Sequence, residues 1–214
     1  MAPRTSVIFD LWGTLIYHDT ETNLFTRLGR LTGIKDEDVL EYLERNWLVR
    51  NDLTLEALAT DICGYFHLNP DHLENIIDIW NEDMSNVRCY SDADEVLKSL
   101  RNLCKLAILS NTGPMTGRIL KNLGFNDYFD FILFSCDAGL LKPDARIYEM
   151  TLAGLRTEAK YSYMVGDNPY SDLKTPKQMG MKTIFVDRYR NGKNYDFVDY
   201  TVSRLSSLLG ILEI

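Results

Sequence analysis

The sequence predicts an α/β protein built on a doubly wound parallel sheet, with a helical insert after its first strand. Three observations carry this. Short apolar runs alternate with amphipathic helical stretches over most of the chain, the signature of parallel strands joined by helical crossovers. The interval from about Ile16 to Arg88 breaks that rhythm and reads helical throughout. Several apolar runs end on a carboxylate, a hydroxyl or a turn, as strands do where open α/β sheets place their chemistry.

The strands are expected at Ser6–Asp10, Lys105–Ser110, Phe131–Phe134, Ser162–Val165 and Thr183–Val186. The helices between them are Ala93–Leu103, Thr116–Leu123, Ala145–Leu155 and Ser171–Met179. A short strand at Tyr200–Val202 and a Leu-rich helix at Leu205–Leu212 close the chain. In the insert the candidate helices are Thr22–Thr32, Asp36–Arg50, Thr54–His67 and Pro70–Asp83. Asn69-Pro70 reads as a cap followed by proline at the first helical position, and Thr54 with Glu56 and Ala57 as a second helix start. Residues 1–15 and 89–214 therefore form the core domain and 16–88 the insert, with Asn191-Gly192-Lys193-Asn194 the clearest exposed loop.

Among the 214 residues, 23 Lys and Arg stand against 31 Asp and Glu, a net charge of −8. Such a surface argues against nucleic acid, which needs a basic face, but a local lysine or bound cation still admits a small anionic substrate. No apolar run approaches the ~20 residues that cross a bilayer, and strand residues follow Met1–Ser6 at once, so no membrane partner and a cytoplasmic location are expected. Cys63, Cys89, Cys104 and Cys136 lack C-x-x-C spacing and read as buried hydrophobes. His18, His67 and His72 form no zinc pattern and are expected at surfaces or interfaces. The sequence assigns no oligomeric state.

Four segments carry chemistry. In Val7-Ile8-Phe9-Asp10-Leu11-Trp12-Gly13-Thr14, a buried strand delivers Asp10 to the sheet edge, where a carboxylate serves as nucleophile and metal ligand at once. Read structurally, the same Asp10 caps a strand-to-helix turn. In Ser110-Asn111-Thr112-Gly113, a hydroxyl at a strand end either donates to an anionic oxygen or caps the next helix. In Lys142-Pro143-Asp144, the lysine precedes a proline and so sits in an extended or turn segment, where it can neutralise an anion and orient Asp10. Asp167 and Asp172, at a strand end and in the turn after it, offer the oxygen ligands that Mg²⁺ prefers.

These segments, in this order, resemble the haloacid dehalogenase-like (HAD) hydrolases, whose signature is an apolar strand followed by D-x-D-x-T. Lys142-Pro143-Asp144-Ala145-Arg146-Ile147-Tyr148 and Gly166-Asp167…Asp172 strengthen the resemblance. It implies a Rossmann-like core with a helical cap and an aspartyl-phosphate formed on Asp10. It also implies phosphoryl positioning by Thr14, with Ser110, Asn111 and Lys142 completing the catalytic set. Mg²⁺ would be held by Asp10, the backbone carbonyl of Trp12, Asp167 and, through water or as an orienting partner, Asp172.

One position departs from the pattern. Trp12 stands where the second Asp protonates the leaving oxygen and activates water, and an indole N–H is a donor only. Slow hydrolysis of ordinary phosphomonoesters is therefore expected, with activated esters less affected. A second reading is a metal-independent 2-haloacid dehalogenase, since that branch carries an aromatic residue at this position; Trp12 would line the substrate site and Arg45 receive the substrate carboxylate. The phosphonatase-like branch needs a cap lysine, and the insert offers only Lys35. A third reading is a ligand-binding or regulatory module without turnover. Tyr42, Trp47, Tyr65, Phe66 and Trp80 fall at helical spacing that assigns most of them to the core of the insert, and Arg50 to a solvated face.

Overall fold

The computed structural model describes residues 5–213. Its centre is a six-stranded, all-parallel sheet. The strands are β1 (Ser6–Phe9), β4 (Lys105–Ser110), β5 (Phe131–Phe134), β6 (Ser162–Gly166), β7 (Lys182–Val186) and β8 (Tyr200–Val202). Their spatial order is β5-β4-β1-β6-β7-β8. The chain runs outward from β1 to β4 and β5, then returns to β6 on the opposite side of β1. The loops after β1 and β6 thus flank the switch point where open α/β sheets bind ligands.

Strand alternation explains the two faces. Val7 and Phe9 of β1 point to one apolar cluster with α5 (Ala93–Leu100) and α6 (Thr116–Asn122). Ile8 points to the other, built with Ile147, Tyr148 and Leu152 of α8 (Ala145–Leu155). Asp144 caps α8, its side chain accepting from the Arg146 amide at 2.9 Å.

The insert carries α1 (Leu24–Thr32), α2 (Asp36–Asn46), α3 (Leu55–Tyr65) and α4 (His72–Ser85). They bury an apolar cluster of their own around Leu28, Val39, Leu58, Ile62 and Ile76. Caps set the ends. The Asn23 side chain accepts from Thr26 N, Gly33 closes α1 in the left-handed region, and Thr54 Oγ1 accepts from Ala57 N at 3.2 Å. Pro70 does not open α4; Asn69 forms a turn with the Asp71 amide and the helix starts at His72.

Three expectations are corrected. The insert is not wholly helical: β2 (Ile16–His18) pairs antiparallel with β3 (Val87–Cys89), a two-stranded ribbon at the base of the insert. Each strand is three residues long and its partner lies some seventy residues away, so neither leaves a local pattern. The expected helix Ser171–Met179 divides into a wide turn at Pro169–Leu173 and the short α9 (Lys174–Gln178). The last helix is a 3₁₀ segment, Leu205–Gly210. No helix among the described residues is long and apolar enough to cross a membrane.

Ile76 is fully buried at the centre of the insert's cluster. Ile76→Ala should cost about 2–5 kcal/mol of stability, read as a lower midpoint in urea unfolding monitored by circular dichroism.

Candidate active site

The sheet's carboxyl edge gathers three acids around one lysine. Asp10 follows β1, and its amide donates to the Val165 carbonyl at 2.8 Å, which seats it beside the end of β6. Asp167 follows β6 directly, and Asp172 lies in the turn after it. One carboxylate oxygen from each of Asp10, Asp167 and Asp172 falls within 4.8 Å of the others. Lys142 reaches the cluster from the loop before α8. Its Nζ donates to Asp10 Oδ1 at 2.6 Å and to Asp172 Oδ1 at 2.7 Å, and all three side chains are nearly inaccessible to water.

Local hydrogen bonds hold each member. Asn111 grips the backbone of Lys142 from both sides: its Nδ2 donates to the Lys142 carbonyl at 2.9 Å, and its Oδ1 accepts from the Lys142 amide at 2.8 Å. The structure thus makes Asn111 a positioning residue for the lysine. Asp172 also accepts from Ser171 Oγ and the Asn168 amide, both at 3.0 Å. Tyr148 Oη donates to the Ser171 carbonyl, tying α8 to the turn that carries Asp172. Gly13 permits the closest approach: with φ +74°, a Cβ there would sit 2.2 Å from Asp167 Oδ2.

Charge balance in this buried place is uneven, with three carboxylates against one ammonium. Burial, reinforced by the neighbouring Asp10 and Asp172 charges, pushes the Asp167 carboxyl up to about 8. Burial also lifts Asp10 to about 6, although the Lys142 charge pulls it down. For Lys142, burial disfavours the charge but the two carboxylates outweigh it and hold the ammonium protonated. A hard divalent cation with oxygen ligands suits this donor set, because it supplies the positive charge that the three acids lack. Ser110 Oγ and Thr14 Oγ1 are buried without a protein partner. Thr14 also accepts Arg188 Nη2 at its carbonyl, 2.6 Å away, which pins the turn after Asp10.

Trp12 is fixed rather than free. Its Nε1 donates to Thr112 Oγ1 at 3.0 Å, and its indole stacks on His18, centroids 4.3 Å apart and planes 3° from parallel. His18 Nδ1 in turn lies 2.7 Å from Asp83 Oδ2, a carboxylate that is wholly buried at the end of α4. His18, read from sequence as a surface or interface residue, is half-buried on β2 between Trp12 and Asp83. Asp83 and Arg188 left no motif to find them by, and Thr112 lies within the Ser110-Asn111-Thr112-Gly113 segment without a role assigned to it there.

Arg45 is the one expected site residue the structure places elsewhere. It points to solvent on α2, 72% exposed, and pairs with Glu41 one turn away at 2.6 Å. A helix places residues 43 and 45 on different faces, and it is Leu43 that faces inward. Trp47 and Trp80 meet edge to face at 6.0 Å and both border a cavity above the sheet edge, while Tyr42, Tyr65 and Phe66 pack on one another in the insert.

A family model described as haloacid dehalogenase-like hydrolase matches residues 7–186. The chain belongs to this family. The HAD chain is 28% identical over 121 residues to a phosphoserine phosphatase of Thermus thermophilus, covering 56% of this chain and 49% of that one. It is 30% identical over 121 residues to a glyceraldehyde 3-phosphate phosphatase of Pyrococcus furiosus, covering 49% and 50%. It therefore spans about half the length of these curated relatives. A HAD phosphatase from Thermococcus onnurineus superposes with a TM-score of 0.68 at 26% identity over 98% of both chains. A 2-haloacid dehalogenase from Pseudomonas syringae shares the fold, with a TM-score of 0.70 at 22% identity over 97% of both.

With metal removed by EDTA, the raised Asp167 carboxyl stabilises the folded chain below its usual 3.8, and that contribution is lost as pH rises through about 8. Asp167→Asn should therefore melt higher than the unsubstituted chain at pH 8 in EDTA, with the difference closing toward pH 4. The same variant should lose any Mg²⁺-induced rise in Tm. Thermal shift across pH, with and without Mg²⁺, reads both.

Proposed function

We propose that this HAD hydrolase is a Mg²⁺-dependent phosphomonoesterase that uses Asp10 as nucleophile, with weakened general acid–base catalysis. The supporting observation is the set of Asp10, Asp167 and Asp172 gathered within 4.8 Å around Lys142. A divalent cation held by Asp10 and Asp167, with the Trp12 carbonyl, would offset the charge of the phosphoryl oxygens and of the nucleophile together. Lys142 occupies Asp10 Oδ1, which leaves Oδ2 to attack phosphorus. The P–O bond to the leaving group breaks, and an aspartyl-phosphate remains for water to hydrolyse. Asp172 keeps the ammonium in register from its far side. The buried hydroxyls of Thr14 and Ser110 are the candidates to hold phosphoryl oxygens, because neither has a protein partner. The insert 16–88 acts as the cap: α1, α2 and α4 line the cavity on the side opposite Lys142.

Trp12 limits this chemistry. Its N–H is committed to Thr112, and it can neither give a proton to a leaving alkoxide nor take one from water. The second reading, a 2-haloacid dehalogenase, draws on that aromatic side chain, since halide leaves unprotonated. It needs a cation for the substrate carboxylate, and Arg45 faces away.

Hydrolysis of p-nitrophenyl phosphate should depend on Mg²⁺ and disappear in Asp10→Asn; activity that survives this change would remove Asp10 as nucleophile. Halide release from 2-chloropropionate in EDTA would instead establish the dehalogenase. Trp12→Asp should raise kcat on unactivated alkyl phosphates by about tenfold or more, toward the usual worth of a positioned acid–base group, and should change p-nitrophenyl phosphate hydrolysis much less. A folded, Mg²⁺-binding Trp12→Asp protein with no gain would refute the role assigned to position 12.

A further inference from the structure

Between the insert and the sheet edge lies a cavity of about 910 Å³, near the top of the range for small-molecule sites. One end is polar, bounded by Lys142 and Asn111. The remainder is walled by Phe25 of α1, Leu43 of α2 and Trp47 just past its end, Trp80 and Met84 of α4, and Met115. We propose that the substrate is a phosphate monoester of a bulky apolar alcohol or phenol, its phosphoryl group at the Lys142 end and its hydrocarbon body against these walls. This rests on the phosphohydrolase reading above and names its substrate class.

Three features exclude a small, strongly polar leaving group. The lining carries one ammonium among the described residues, Lys142, and it is engaged by Asp10 and Asp172, while the His18 imidazole lies against Asp83. The other charged groups on the wall, Glu44 and Asp144, have the sign of the substrate. A second phosphate or a carboxylate would therefore enter without a counter-charge, which is costly in a dry site. Most of the polar side chains at the sheet edge are also engaged, Asn168 Oδ1 by the Tyr170 and Ser171 amides, while the Tyr170 side chain is largely exposed. Thr112 and Thr116 bond each other at 2.6 Å, Thr112 accepts from Trp12, Ser171 donates to Asp172, and Asn111 holds Lys142. Hydroxyls of a polyol would leave water and find few partners, whereas an apolar body loses nothing by the transfer. Size points the same way, since a three-carbon body would leave most of the cavity unfilled.

The test is binding of a homologous series of n-alkylphosphonates, methyl to hexyl, with 3-hydroxypropylphosphonate as the polar member, measured by calorimetry in Mg²⁺. Affinity should climb by up to about fourfold per buried methylene, and the hydroxypropyl compound should bind more weakly than butylphosphonate. Phe25→Ala and the near-isosteric Met84→Gln should both flatten that climb, and Arg45→Ala, on the outer face, should leave it as it is. A flat or falling series, tighter binding of the hydroxypropyl compound, or no binding by any member overturns the proposal. Hydrolysis of the matching alkyl phosphates separates the two readings. A steep binding series without any hydrolysis supports the apolar site and rejects the phosphohydrolase. Hydrolysis with a flat series does the reverse.

Discussion

The structure depends on a single buried ammonium. Lys142 carries its charge into the sheet edge, where an unpaired cation would cost several kcal/mol, and two carboxylates from separate strand ends offset that cost. Because the pair works only at hydrogen-bond distance, it dictates where three loops go. Asp10 must leave β1 at the level of β6, Asp172 must fold back in the turn after β6, and the loop before α8 must bring Lys142 between them. Asn111 and Tyr148 lie outside the charge cluster, yet each fixes a backbone that the cluster needs, one under Lys142 and the other under Ser171. The third acid, Asp167, is left without an ammonium of its own. Burial and its two acidic neighbours raise the Asp167 carboxyl, and its oxygen lies within 4.8 Å of those of Asp10 and Asp172.

A further buried acid lies at the boundary between core and insert. Asp83 at the end of α4 is fully enclosed, and His18 on the ribbon strand β2 lies against it. The imidazole stacks on Trp12, and the indole is anchored to Thr112 on the opposite side. A chain of contacts thus runs from the insert through β2 to Trp12, two places after Asp10. Position 12 is thus filled by an aromatic plate held between Thr112 and His18. It extends the apolar wall formed by the insert down to the sheet edge. Trp47 continues this wall upward, so close to the turn after β4 that a Cβ on Gly113 would lie 2.1 Å from its Nε1.

Much of the core was legible in the sequence, because its signals are local. Apolar runs such as Ser6–Phe9 and Lys105–Ser110 are buried on both faces and need no knowledge of their neighbours to be recognised as parallel strands. Asp10, Lys142, Asp167 and Asp172 were legible for a related reason: each sits within a short motif at the end of such a run. Thr54, read as a helix start, does cap α3, although that helix ends sooner than the periodicity suggested. Periodicity also mistook the Pro169–Leu173 turn for helix, since a widened turn has nearly the same spacing of apolar positions.

The sequence by itself determined the sheet, the run of helices after its first strand and the four segments that end at the sheet's carboxyl edge, because strand burial, helix capping and motif spacing are written in consecutive residues. Only the tertiary structure decided which side chains meet. The β2–β3 ribbon joins residues some seventy positions apart, and the Asp83–His18–Trp12 contacts span a similar distance. Arg45 faces solvent while Leu43 faces the cavity because packing sets the rotation of α2, and that rotation depends on helices and loops that no local window contains.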